Sequence, residues 1–212
     1  MRKKLNGYYN YTVILTYLGM LCGFAGIAFV IEGKYRHALL AMMIAGFCDM
    51  FDGTVAATRQ RTESEKRFGI QIDSLSDLIC FGVLPALIAY CVCGKSIIGL
   101  IVGSLYALCA LIRLAYFNVM EEERQSQEDG CRTSYQGLPV TSSAVLLPCL
   151  HLISLWLPHG SSAFMLAAVA AIALAFVLPF KVRKPHMLGK IVLALLGAAE
   201  LALLLINVGP KV

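Results

Sequence analysis

Seven apolar stretches, at residues 12–31, 37–57, 74–94, 96–119, 138–157, 161–180 and 188–208, occupy most of this 212-residue chain. An α-helix crosses a bilayer in ~20 apolar residues, and only helices and closed barrels satisfy their backbone groups where no water is present. The stretches predict an all-α fold, a polytopic transmembrane bundle of six to seven spans forming one domain over residues 1–212. The count turns on Pro179 and the Lys181 to Pro185 stretch, which join either two full spans or one span and a shorter tail within 161–208. Only 15% of residues are charged, against about 25% in soluble domains, which excludes that class. Disorder is excluded by the same apolar content.

Of the eight cysteines, seven lie in apolar runs and Cys131 in a polar loop, and no Cys-x-x-Cys pair occurs. They read as small buried hydrophobes rather than as a disulfide scaffold. The opening Met1 to Lys4 before an apolar run imitates a secretory signal, but the stretch is too long, so a retained first span is expected. The tyrosine-rich Asn6 to Tyr11 segment suits the membrane interface, as do Trp156 and His159 at the opposite side. Thirteen of the 18 cations fall on the amino terminus and the second, fourth and sixth loops, which predicts a cytoplasmic amino terminus in the cytoplasmic membrane. The net charge of +5 is then mostly topology, with some attraction for anionic membrane lipids, and no basic, aromatic-interleaved surface points to nucleic acid.

Only 13 acids occur, yet Asp49, Asp52, Asp73 and Asp77 gather at the inner ends of the second and third stretches. Ionisable groups at membrane depth are costly and mark function. Asp49 and Asp52 are three apart and Asp73 and Asp77 four apart, so each pair shares a helix face. A connecting loop of about 15 residues lets the helices run antiparallel and bring both faces together. Protonation or cations relieve the resulting repulsion, and oxygen-only ligands favour Mg²⁺, Mn²⁺ or Ca²⁺. Two such ions ~3.5–4 Å apart clamp a phosphoryl group, which makes phosphoryl transfer the sharper expectation. Gly53 and Gly69 beside the pairs leave room for a phosphate or sugar at the backbone, or equally for close helix packing.

The stretch Asp49-Met50-Phe51-Asp52-Gly53-Thr54-Val55-Ala56, followed by Gly69-Ile70-Gln71-Ile72-Asp73-Ser74-Leu75-Ser76-Asp77, resembles the motif of the CDP-alcohol phosphotransferase family. The resemblance implies that Asp49, Asp52 and Asp73 are the main ligands of two divalent cations. Asp77 then completes the site and acts as catalytic base, and Gly53 and Ala56 line the cytidine pocket. It also implies a homodimer. Two departures stand out: Ala57 occupies the position of the usual arginine, and the interval to Gly69 is longer than the common form. Arg59 or Arg61 is the expected substitute in binding CDP-diacylglycerol.

Downstream, Leu78 to Ala86, Arg113 to Asn118 and Gly137 to Pro139 resemble the serine-accepting branch of that family. The implied reaction moves the phosphatidyl group of CDP-diacylglycerol to L-serine, giving phosphatidylserine and CMP. Arg113 lies inside an apolar span and needs an anion, which the serine carboxylate supplies, or else an embedded carboxylate or carbonyl. Arg113, Asn118 and Gln136 are the acceptor-site candidates. Glycerol 3-phosphate is the rival acceptor, although its phosphate asks for several cations. A divalent-metal transporter or channel is the reading from another class, and it requires polar groups through the full bilayer depth.

The Arg59 to Arg67 loop could steer an anionic headgroup or simply be solvated, and Glu121 to Glu123 reads as a solvated run. His37, His151, His159 and His186 have no partner motif. Glu200 is a lone acid in the last stretch, protonated, met by another helix, or hidden from lipid. Gly19-x-x-x-Gly23 and Gly99-x-x-x-Gly103 permit tight helix contact within one protomer or between two.

Overall fold

The computed structural model describes residues 6–127, 134–157, 161–183 and 187–206, with side chains for 6–123, 137–157, 162–180 and 195–206. A 3₁₀ turn at Tyr11–Val13 is capped by Asn10, whose side chain accepts from the Thr12 amide at 3.1 Å, and leads into α1 (Ile14–Ile31). Then follow α2 (Tyr35–Ala56), α3 (Glu63–Asp77), a π-helical segment (Leu78–Val83), α4 (Leu84–Val92) and α5 (Ile97–Gln127). Strand β1 (Ser134–Gln136) precedes a 3₁₀ turn at Val140–Ser142 and α6 (Ser143–Ser154); α7 (Ser161–Val177), β2 (Lys181–Arg183) and α8 (Met187–Ile206) complete the described chain.

Four helical runs are long and apolar enough to cross a membrane: Tyr11–Ile31, Tyr35–Ala56, Glu63–Val92 and Ile97–Glu123. Val140–Ser154, Ser162–Val177 and Leu195–Ile206 are shorter apolar helices. Large side chains such as Leu21, Phe24, Ile98 and Ile101 project outward from the bundle, where only lipid covers such a surface without penalty. The chain is an integral membrane protein.

The third helix starts far earlier than its apolar stretch. Thr62 caps it: its hydroxyl accepts from the Glu65 amide at 3.2 Å while Glu65 Oε2 accepts from the Thr62 amide at 2.9 Å. This reciprocal cap starts a helix whose first turns are polar, which a hydropathy pattern reads as loop. The link between the acidic pairs is therefore Ala57 to Thr62, not about 15 residues. The fifth helix likewise runs past the apolar stretch ending at 119, to Gln127.

Directly after Asp77 the helix widens into the π segment, and Pro85 follows. Proline has no amide to give the carbonyl four residues back, which is that of Phe81. That carbonyl instead accepts from the Tyr106 hydroxyl of α5 at 3.2 Å, while the Ser143 hydroxyl of α6, 3.4 Å away, gives its one proton to the nearer Val140 carbonyl at 2.7 Å. A break in one helix thus becomes a tie to α5. Phe81, Leu84, Ile88, Tyr106, Leu147, Met165, Val169 and Phe176 form the fully buried core around it.

Small residues bring the helices close. A Cβ on Gly23 would stand 2.4 Å from Cys80 Sγ, and one on Gly103 2.8 Å from the Ala86 carbonyl oxygen. Both Gly-x-x-x-Gly pairs hence serve packing inside one protomer. Glu200 is 5% exposed, which takes it away from lipid. The seven described cysteines are free, and Cys131, like His159 and His186, lies outside the described residues.

The two strands, absent from the all-α expectation, pair antiparallel with Gln136 opposite Lys181. They join loops that flank α6 and α7. Gly137 follows at φ +72, with the Phe176 carbonyl oxygen 2.9 Å from where a Cβ would stand. Its amide donates to Phe180 at 2.7 Å and that of Leu138 to Ala175 at 3.0 Å, so a carbonyl left open at the end of α7 is satisfied.

The Phe81 carbonyl leads to a stability prediction. Tyr106→Phe removes the hydroxyl this buried carbonyl accepts from and should cost about 1–3 kcal/mol, whereas Ser143→Ala leaves that bond in place and should cost about 1 kcal/mol or less. Thermal unfolding in detergent reads this, and equal losses in the two variants would contradict it.

Candidate active site

Asp49 and Asp52 project from the last turns of α2, and Asp73 and Asp77 from the last turns of α3. One carboxylate oxygen from each of Asp49, Asp52 and Asp73 lies within 4.8 Å of the others. Two oxygens on opposite sides of one hard cation stand about 4–5 Å apart, so the spacing and the all-oxygen donor set suit a divalent ion. Asp77 is 7% exposed and lines the same cavity, of about 10 Å³.

The cavity has a third wall that the motif does not announce. Leu15, Thr16 and Gly19 of α1 face it, together with Ser76 and Cys80 beyond the acids. The Thr16 hydroxyl donates to Asp52 Oδ2 at 3.0 Å and so aims that carboxylate. Ser76 and Cys80 in turn donate to the α1 carbonyls of Thr16 and Gly19, each at 3.3 Å. These bonds tie α3 and the π segment to α1 along the cavity floor. The only sequence signal for Thr16 is a hydroxyl interrupting the first apolar stretch.

Gly53 faces open space, with nothing within 4 Å of an added Cβ, whereas Ala56 is buried. Gly69 lies under the Arg61 guanidinium, whose Nη1 would be 3.1 Å from an added Cβ. Arg59 instead points to Glu65, at 3.6 Å. The two arginines offered by sequence therefore occupy different places.

Of the acceptor-site residues, Arg113 and Asn118 do not line the acidic cavity. Asn118 Oδ1 accepts from the Ser74 hydroxyl at 2.8 Å, which seats it beside Asp73 in the chain. Arg113 lies five residues earlier, about 7.5 Å along the axis of α5. It is 7% exposed, its Nε donates to the Leu138 carbonyl at 3.2 Å, and its guanidinium lies 5.9 Å from the Phe117 ring centre. A main-chain carbonyl thus answers one of its donors. Gln136 is placed only by its backbone in β1, opposite Lys181.

Carboxylates held this close should repel in the absence of cations. Mg²⁺ or Mn²⁺ should therefore raise the melting temperature of the purified protein, as any ligand of the folded state does. Asp73→Asn should stabilise the metal-free protein and remove most of that rise. An unchanged response to the ions in this variant would count against a shared site.

The sequence model of the CDP-alcohol phosphatidyltransferase family matches residues 9–179. The chain is similar to the archaetidylserine synthase of Methanothermobacter thermautotrophicus, 31% identical over 174 residues, which are 82% of this chain and 70% of that one. Against the CDP-diacylglycerol–serine O-phosphatidyltransferase of Mycobacterium tuberculosis it is 34% identical over 137 residues, 62% of this chain and 45% of the relative. The Bacillus subtilis protein of the same name is 26% identical over 180 residues, 84% of this chain and 91% of its own. The chain spans about half the length of the mycobacterial relative and nearly all of the Bacillus one. With the acidic motif assembled in one cavity and the match running over most of its length, the chain belongs to the CDP-alcohol phosphatidyltransferase family.

Proposed function

We propose that this chain transfers the phosphatidyl group of CDP-diacylglycerol to L-serine, releasing phosphatidylserine and CMP. The observation that carries the reading is the convergence of Asp49, Asp52 and Asp73 beside buried Asp77, next to the open backbone of Gly53. The names of the Mycobacterium and Bacillus relatives support serine as acceptor. The rival acceptor, glycerol 3-phosphate, keeps its place as a control.

Asp49, Asp52 and Asp73 would hold two divalent cations, Mg²⁺ or Mn²⁺, which neutralise the diphosphate and polarise the phosphorus. Gly53, Ala56 and Gly69 line the nucleotide side, where the missing side chains admit the cytidine diphosphate, and Arg59 or Arg61 supplies its guanidinium partner. Asp77 accepts the proton of the serine hydroxyl as its oxygen bonds to phosphorus. The bond from phosphorus to the bridging oxygen breaks, and CMP leaves with the electron pair. Arg113, Asn118 and Gln136 orient serine, Arg113 through the carboxylate. The acyl chains stay in the bilayer while cytidine and serine arrive from water, which accounts for a polar centre at the end of α2.

The cation bias of the loops supports an active site and amino terminus facing the cytoplasm. Assembly as a homodimer is part of the proposal and rests on the family resemblance alone.

Purified protein given CDP-diacylglycerol, a divalent cation and serine should release CMP, and far less with glycerol 3-phosphate. The reverse preference would replace serine, and metal flux into liposomes without CMP would favour transport. Asp77→Asn should lower turnover about a hundredfold or more while binding of Mn²⁺ largely persists; near-normal turnover removes Asp77 as the base. Arg113→Ala should raise the KM for serine at least tenfold and that for the lipid less than threefold. Equal changes in both would assign Arg113 to the fold.

A further inference from the structure

The link between α2 and α3 carries two arginines, and one carboxylate sorts them. Glu65, with a side chain 13% exposed, closes the α3 cap with Oε2, accepting from the amide and hydroxyl of Thr62 at 2.9 and 3.3 Å. Its Oε1 accepts from Asn10 Nδ2 at 3.0 Å and lies 3.6 Å from a guanidinium nitrogen of Arg59. Asn10 belongs to the segment ahead of α1, 55 residues away, so Glu65 joins the link and the start of α3 to chain remote in sequence.

That leading segment grips the link elsewhere too. The Tyr11 hydroxyl meets Thr58 Oγ1 at 3.1 Å, and the Tyr8 ring stands edge-on to Phe68 with centres 5.2 Å apart. Thr58 donates its own proton to the Val55 carbonyl at 2.7 Å, which leaves its oxygen to accept from Tyr11. Both ends of the link are thereby fastened.

Arg61 is outside this clasp. Its guanidinium stands over Gly69, four residues and one helical turn before Asp73, on the same face of α3. Among the described residues it has no ion-pair partner, while the charge of Arg59 is offset by Glu65. Of the two, only Arg61 carries unmatched positive charge on the face that bears the acidic site.

We infer that Glu65 is a positioning residue that, with Asn10, holds the link so that Arg61 rather than Arg59 meets the diphosphate of the cytidine nucleotide. The inference rests on the nucleotide reading above and deepens it. It also gives the segment ahead of α1 a part in substrate binding.

Calorimetric titration of the purified full chain in lipid nanodiscs with CDP, at saturating Mg²⁺, tests it without an acceptor. Glu65→Gln separates the roles, because glutamine closes the same cap yet has no charge with which to hold Arg59. The expected Kd for CDP rises at least tenfold in Arg61→Ala, less than threefold in Arg59→Ala and about fivefold in Glu65→Gln, the last with an unchanged melting temperature. In the Arg61→Ala background, Glu65→Gln should add less than twofold, since its effect passes through Arg61. An Arg59→Ala loss equal to that of Arg61→Ala, a silent Glu65→Gln, or fully independent effects would each overturn the assignment. A wild-type chain that binds Mn²⁺ but no CDP would remove the nucleotide reading itself, and this inference with it.

Discussion

Mutual repulsion among acidic side chains is what the surrounding bundle must withstand. Two unit charges 4.8 Å apart interact by on the order of 3 kcal/mol at an effective dielectric constant near 20, and three of these carboxylates lie within that distance. The opposing contacts come from α1, whose Thr16 hydroxyl holds Asp52 and whose carbonyls receive Ser76 and Cys80. The first helix therefore belongs to the site as much as the two that carry the motif.

Beyond the acids, the same helix is made to do something irregular. The π segment and Pro85 interrupt the backbone ladder in the buried core, and the carbonyl set free is used to bind α5. The acidic cavity and the structural anchor then sit within two turns of one helix. A soluble protein could let water take the orphaned carbonyl; inside a membrane another side chain must.

How far the chain could be read in advance differs from residue to residue. The carboxylate pairs were legible because helical periodicity alone puts residues three and four apart on one face. Hydropathy located the seven apolar helices but misplaced the start of α3, since the Thr62 and Glu65 cap forms in a polar segment with no hydrophobic signature. Thr16 was invisible, one hydroxyl among apolar neighbours, and so was the pairing of Gln136 with Lys181 across 45 positions of sequence. The roles of Arg59 and Arg61 were equally open, because charge counting gives both the same weight.

The amino-acid sequence alone determined that this chain lives in a bilayer, that it is built of helices, and that two of them carry acids on defined faces. Composition and periodicity are local properties, and they suffice for such statements. Tertiary structure decided which faces meet, which of two equivalent cations Glu65 holds, and that a segment ahead of the first span reaches across to hold the link. Those outcomes depend on contacts between residues far apart in the chain, such as Asn10 with Glu65 and Tyr106 with Phe81, and no local pattern encodes a partner at that distance.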